Sequence, residues 1–341
     1  MSSHGIKGRV AIVAMGCTDF GEHWDRSADD LIIDAAGQAL AGAGVTTDDV
    51  DAYWFGTATT AMSGIALSQA LKLRAKPVTR LENYCATGSE ALRNACYAVA
   101  SGAYDSAMAI GVEKVKDGGY QGLNAPPIPT DGTQRTLTAA AMFSLVAPAY
   151  GEKYGVSDAE LREGPARIAA KNHYNGARNP RAQFRREVSM ETICNSPAVA
   201  GRLGLFDCAG VADGAAAAIV VRAEDAHRYT DTPLYVKALS FVAGNGSGNA
   251  DPDYAVTVAY AQAGITDPQQ EISLAEVHDC FTPTELVLME DLGFCDRGTA
   301  WKEELAGTFE LDGDLPVNPD GGLKSFGHPV GASGLRMHFE H

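Results

Sequence analysis

Three stretches of the chain hold cysteines and histidines whose types and surroundings could attack and reshape an electrophilic carbon. In Arg80-Leu81-Glu82-Asn83-Tyr84-Cys85-Ala86-Thr87-Gly88-Ser89-Glu90-Ala91-Leu92, an extended run ends in small residues. Ala91, Leu92, Ala95, Cys96 and Val99 then recur at helical spacing, so Cys85 stands in a strand-to-helix turn. A thiol just ahead of a helix N-terminus meets the positive end of the dipole and unpaired N–H groups, which favour the nucleophilic thiolate. A small buried hydrophobe is the other reading of such a cysteine.

Partners for Cys85 lie far down the chain. Ile272-Ser273-Leu274-Ala275-Glu276-Val277-His278-Asp279-Cys280-Phe281 precedes Thr282-Pro283-Thr284-Glu285, a capping box with Pro at the first helical position. His278 and Cys280 are therefore expected at a strand's end, where a helix begins. Gly321-Gly322-Leu323-Lys324-Ser325-Phe326-Gly327-His328-Pro329-Val330-Gly331 follows, with glycines that let backbones approach and hold a histidine in a rigid loop. His328 is the natural base for Cys85. His278 also reads as a core histidine beside a capped helix. His278 and Cys280 could chelate, but two donors without two more nearby lead us to expect no metal on this chain.

The elements that must position these groups alternate. Strands are expected at Gly8–Met15, Val50–Thr57, Val78–Asn83, Ser106–Glu113 and Val211–Val221, with helices at Asp29–Ala43, ending at Gly44, and at Ser63–Leu73. Such alternation indicates an α/β sheet. From Lys116 to Pro148 the pattern gives way to Gly, Pro and Thr, with loop signals at Asn124–Pro129 and Thr130-Asp131-Gly132. A helical Leu161–His173 and a basic patch, Asn175–Arg186, follow. The next part repeats the beginning: Leu234–Leu239 answers the first strand, Ala255–Ala263 the first helix, Ile272–Asp279 the second strand, and the His328 loop the Cys85 turn. Gly244–Gly248 resembles a phosphate loop but lacks the Gly-Lys-Ser/Thr ending, so it reads as a plain loop.

Composition narrows the function. The 341 residues suffice for two or three core-forming units, and 45% hydrophobic with 21% charged residues is ordinary for a globular protein. A formal charge of -16 argues against nucleic acid, which needs a basic face. No apolar run approaches the roughly 20 residues that cross a bilayer, and the N-terminus has no signal-peptide core, so a cytoplasmic location without membrane contact is expected. Seven cysteines without a C-x-x-C pair read as reduced thiols.

The motifs Tyr84-Cys85-Ala86-Thr87-Gly88, His278-Asp279-Cys280-Phe281 and Gly327-His328-Pro329, in this order, resemble those of the thiolase superfamily. The closest likeness is to its sterol-carrier-protein-type and archaeal acetoacetyl-CoA branch, and it spans nearly the whole chain. The resemblance implies a thiolase fold of the α/β class. Duplicated βαβαβ halves would form a five-layer α-β-α-β-α arrangement with an inserted loop domain. Residues 1–118 plus 205–225 would be the N-terminal half, 119–204 the loop domain and 226–341 the C-terminal half. About two further strands and a Cys-x-Gly-Gly-Gly loop would follow in that last half, and no such loop stands before His341.

The resemblance also implies roles. Cys85 would accept the acyl group, His328 would take its proton, Cys280 would move a proton on the substrate α-carbon, and His278 would point a donor at the thioester oxygen. Coenzyme A would be a substrate. Arg178, Arg181, Arg185 and Arg186, with Lys171, are candidates for its phosphates, because guanidinium forks match phosphate oxygens; a solvated charged face is the alternative. Tyr120, Met142, Phe143, Tyr150 and Tyr154 suggest an apolar acyl or aromatic pocket, or ordinary core. The expected activity is thiolysis or formation of a β-ketoacyl-CoA. Retro-aldol cleavage of a β-hydroxyacyl-CoA and a non-catalytic acyl-CoA-binding subunit are the alternatives. A homodimer paired through Val78–Asn83 is implied, with a small zinc-ribbon and OB-fold subunit as a further partner.

Overall fold

The computed structural model describes residues 5–118, 128–130, 133–135, 138–243 and 252–339. Tyr120, most of the 124–129 loop signal, residues 131–132, the glycine run 244–248 and His341 lie outside them. The chain divides into two compact units, residues 1–116 with 212–266 and 329–341, and residues 117–211 with 267–328. The expected division was an N-terminal half of 1–118 plus 205–225, a loop domain of 119–204 and a C-terminal half of 226–341; here 267–328 falls with 117–211. No helix among the described residues is long and apolar enough to cross a membrane.

The first unit is built on a six-stranded mixed sheet. Its order is Leu234–Tyr235, Val10–Cys17, Gly214–Arg222, Ser106–Glu113, Ala52–Gly56 and Val78–Leu81. Ala52–Gly56 runs parallel to both neighbours, with Phe55 opposite Ile110 on one side and Arg80 on the other. Parallel strands need a crossover, and the Thr87–Ala100 helix carries the chain from Val78–Leu81 past Ala52–Gly56 to Ser106–Glu113. Gly214–Arg222 runs antiparallel to both its neighbours.

The Ala28–Ala43 helix starts where Ser27 accepts the Asp30 N–H and Asp30 accepts the Ser27 N–H, and it stops at Gly44 in the left-handed conformation. Leu31, Ile32, Ala35, Ala36 and Ala39 bury its inner stripe in a core shared with Tyr53, Phe55, Met108 and Ile110.

Another helix of this unit, Val330–Arg336, is wholly buried. Glycines let three backbones meet around it. A Cβ on Gly111 would stand 2.0 Å from the Gly331 carbonyl oxygen, and one on Gly88 would stand 2.8 Å from the Leu335 nitrogen. Neither obstacle is a flexible side chain. Gly111→Ala is therefore expected to cost about 3 kcal/mol, the upper range for overpacking, read as a lower denaturant midpoint at unchanged m-value.

The second unit is organised by the Asp158–Gly176 helix, capped by Ser157 and Glu160. Leu161 and Ile168 on this helix share a core with Val277, Leu286, Met289, Phe309 and Val317. That shared core joins residues of the expected loop domain to residues of the expected C-terminal half in one unit.

The expected repeat is only partly formed. The Pro252–Ala263 helix is present, but Leu234–Tyr235 pairs with Val10–Cys17, and no second six-stranded or five-stranded sheet occurs among the described residues. Ile272–Asp279 has strand-like composition without a ladder. Ala275 makes one parallel bridge to Val317, and the Val277 N–H goes to the Asn318 side chain at 2.9 Å. Alternating residues cannot supply a partner strand. The expected capping box is also absent. Thr282–Asp291 has Phe281 at its N-cap with no side-chain cap, because the Thr282 hydroxyl donates to Asp207 and Glu285 is drawn to Lys171.

Candidate active site

Cys85 lies in the first unit, half-buried, one residue before the N-cap Ala86 of the Thr87–Ala100 helix. The turn is held from within. Thr87 Oγ1 accepts the Asn83 N–H at 2.8 Å and donates to the Tyr84 carbonyl at 2.6 Å. Tyr84 sits at φ 48°, a left-handed conformation that costs a non-glycine residue roughly 1–2 kcal/mol. Such strain persists where the surroundings over-determine it. The turn points the thiol to the end of a four-turn helix, whose dipole favours negative charge there.

The Cys85 helix rests on Val330–Arg336, the helix that begins two residues after His328. Glu113, at the end of its strand, ties the start of this second helix to the neighbouring loop. Its carboxylate accepts the Gly331 N–H at 3.0 Å, the N–H groups of Ala58, Thr59 and Thr60 at 2.9–3.0 Å, and three threonine hydroxyls. Sequence reasoning missed Glu113. A lone carboxylate ending an apolar strand was the available signal, since a buried acid must collect donors.

The second unit holds the other three candidates. The rings of His278 and His328 stand 5.8 Å apart between centroids, at 76°. Cys280 is 3% exposed, and its carbonyl accepts the Ala209 N–H at 2.8 Å. The His328 N–H donates to Gly210 O at 2.9 Å, so residues 208–210 serve as a common rail for both segments. Phe143 stacks on Phe281 at 4.8 Å and tilts toward His278 at 6.3 Å.

Other expected site residues are placed elsewhere. Lys171 is fully buried in an ion pair with Glu285, and it also donates to the Val317 carbonyl at 3.1 Å. It is a core cation, because a buried ammonium needs a carboxylate more than a surface phosphate does. Arg178 is exposed and already engaged, 2.8 Å from Glu187 and 3.3 Å above the Tyr174 ring. Arg185 and Arg186 are exposed and Arg181 is half-buried. Tyr150 is buried, donates to Glu290 at 2.5 Å and packs against the half-buried Tyr154 at the edge of this unit's core.

A buried polar cluster next to the His328 loop was not read from the sequence. The Lys324 ammonium lies 5.6 Å and 5.7 Å from the Phe184 and Phe206 rings. Burial brings its pKa down to about 8, against the pull of Asp279. Burial, and then Lys324, pushes the neighbouring His173 down to about 3, so that imidazole is neutral.

Comparisons with known proteins agree with this arrangement. Residues 10–224 match the family model for the thiolase N-terminal domain and residues 251–341 the one for the thiolase C-terminal domain-like family. The chain is 37% identical to an acetyl-CoA acetyltransferase of Methanothermobacter thermautotrophicus, over 96% of this chain and 88% of that protein. It is 31% identical to human sterol carrier protein 2, over 96% of this chain and 64% of that protein. Among solved structures, the Ltp2-ChsH2(DUF35) aldolase is similar with a TM-score of 0.81 and 26% identity, over 97% of this chain and 89% of that one. Human mitochondrial 3-ketoacyl-CoA thiolase in complex with CoA shares the fold at a TM-score of 0.72 and 21% identity, over 98% and 91% of the two chains. With its two domain matches covering most of its length, the chain belongs to the thiolase family.

Proposed function

We propose that this protein is a thiolase-type acyltransferase acting on a β-ketoacyl-CoA through an acyl-enzyme on Cys85. In the cleaving direction the Cys85 thiolate adds to the β-keto carbon, and the bond between α and β carbons breaks. His328 takes the thiol proton beforehand. Cys280 delivers a proton to the departing α-carbon, and His278 donates to the thioester oxygen as enolate charge builds there. The CoA thiol then gives up its proton to the Cys280 thiolate, restoring that thiol, and displaces Cys85 as a thiolate beside the protonated His328, a step for which thiolate is a competent leaving group and alkoxide is not. The reverse sequence forms the bond.

One observation carries this reading: the Cys85 helix is seated on the helix that starts immediately behind Gly327-His328-Pro329. The test is to quench the protein with acid during turnover of acetoacetyl-CoA and weigh the Cys85 peptide. One added acetyl group supports the reading, and an unmodified Cys85 beside a labelled residue elsewhere overturns it.

The similar aldolase structure favours a second reading, retro-aldol cleavage of a β-hydroxyacyl-CoA, which needs no acyl-enzyme and consumes no CoA. Retention of Cys85, Cys280 and His328 favours thiolysis. Coenzyme A is the expected co-substrate, with Arg178, Arg181, Arg185 and Arg186 as the candidates for its phosphates. Val78–Leu81 is the outer strand of its sheet, available for pairing across a homodimer. A small zinc-ribbon and OB-fold subunit is the further partner proposed, and the cytoplasm the proposed location.

A further inference from the structure

The carboxylate of Asp279 is fully buried and stands in the chain between His278 and Cys280. Its Oδ1 accepts the Leu323 N–H at 2.6 Å, and its Oδ2 accepts the Lys324 N–H at 3.1 Å and the Asn172 amide at 2.8 Å. Leu323 and Lys324 open the short helix Gly322–Phe326, which leads through Gly327 to His328. Gly322 permits the approach: it has φ +57°, and a Cβ there would stand 2.4 Å from Asp279 Oδ2. Other tethers of this loop run to other segments, among them Phe326 O to the Gln183 N–H, Ser325 O to the Phe184 N–H, the Ser325 hydroxyl to Phe184 O and the His328 N–H to Gly210 O.

We propose that Asp279 is a positioning residue for the reaction, locking the loop that carries His328 to the segment that carries His278 and Cys280. Charge-assisted hydrogen bonds to two consecutive amides are short and directional, so they hold the separation of the two imidazoles. Asn172 braces the carboxylate from behind, because its amide nitrogen also donates to Glu285 at 2.8 Å. This role rests on the proposed function, in which both imidazoles serve one substrate.

Asp279→Asn is the test. The amide is the same size, but in either orientation its NH2 faces an N–H donor instead of accepting from it. Loop anchoring is read by hydrogen exchange of the 321–328 peptide, and chemistry by kcat and KM for acetoacetyl-CoA thiolysis. His328→Ala and the core truncation Leu286→Ala are measured beside it. Asp279→Asn is expected to lose protection in 321–328 and to lower kcat roughly 100-fold, the scale of an ångström's misplacement, with KM within about threefold of the parent. Leu286→Ala is expected to melt earlier while its folded fraction keeps the parental kcat. Unchanged protection in Asp279→Asn, or a kcat within threefold of the parent while His328→Ala is impaired, would overturn the positioning role alone. A His328→Ala enzyme that turns over like the parent would overturn the functional reading, and the positioning role with it.

Discussion

Cys85→Ala is expected to lower thiolysis of acetoacetyl-CoA by about 10⁴-fold or more, equivalent to about 5.5 kcal/mol of transition-state stabilisation. Without the sulfur there is no acceptor for the acyl group, and the remaining groups can only bind and polarise substrate. Stability should hardly change, within about 0.5 kcal/mol, because the side chain is half-buried and the turn is held by Thr87 and the backbone. Cys85→Ser separates shape from chemistry. It fills the same space yet should remain as impaired, since an alkoxide leaves poorly toward CoA. Initial rates of thioester disappearance with and without CoA measure both variants, and a Cys85→Ala rate within tenfold of the parent removes the acyl-enzyme.

Lys171→Met is expected to destabilise the protein by about 3–5 kcal/mol, the usual consequence of leaving a buried carboxylate, here Glu285, without its cation. Methionine keeps most of the side chain's volume, so the loss measures charge and not a cavity. Lys171 pairs with Glu285 and stands 4.0 Å from Glu304, all three buried. Burial holds the Glu304 carboxyl up at about 8, with Lys171 pulling the other way. Between the ordinary carboxylate range and pH 8, native Glu304 keeps a proton that the unfolded chain has released. The native state binds more protons there, so stability falls as pH rises through this window. Glu304→Gln should remove that part of the slope and raise stability relative to the parent at pH 8–9, read as denaturant midpoints across pH. A parental slope identical to the Gln variant's would sink the assignment.

Much of the first unit was legible in the chain. Ser106–Glu113 is a strand over the residues expected, and Ser27 and Gly44 bracket the first helix as capping rules require. The Cys85 turn was legible too, because small residues between an extended run and a helical stripe leave few conformations. The second half was misread where a strand needed a partner. Ile272–Asp279 alternates like a strand, yet an Asn318 side chain and a single bridge take its hydrogen bonds. Thr282 and Glu285 spell a capping box, yet each has a stronger buried partner, and a long-range charge outweighs a local cap worth about 1 kcal/mol.

The sequence by itself determined the chemistry on offer: a thiol ahead of a helix, a His-Asp-Cys-Phe stretch and a glycine-flanked histidine, whose order along the chain marks the family. Those are properties of residue type and short spacing, which local physics expresses. Only the tertiary structure decided that Lys171 is a core cation, that Tyr150 is a core ring, and that Glu113 and Asp279 are anchors for segments distant in sequence. A buried charge takes whichever partner folding brings within about 3 Å, and no pattern of neighbours along the chain names that partner in advance.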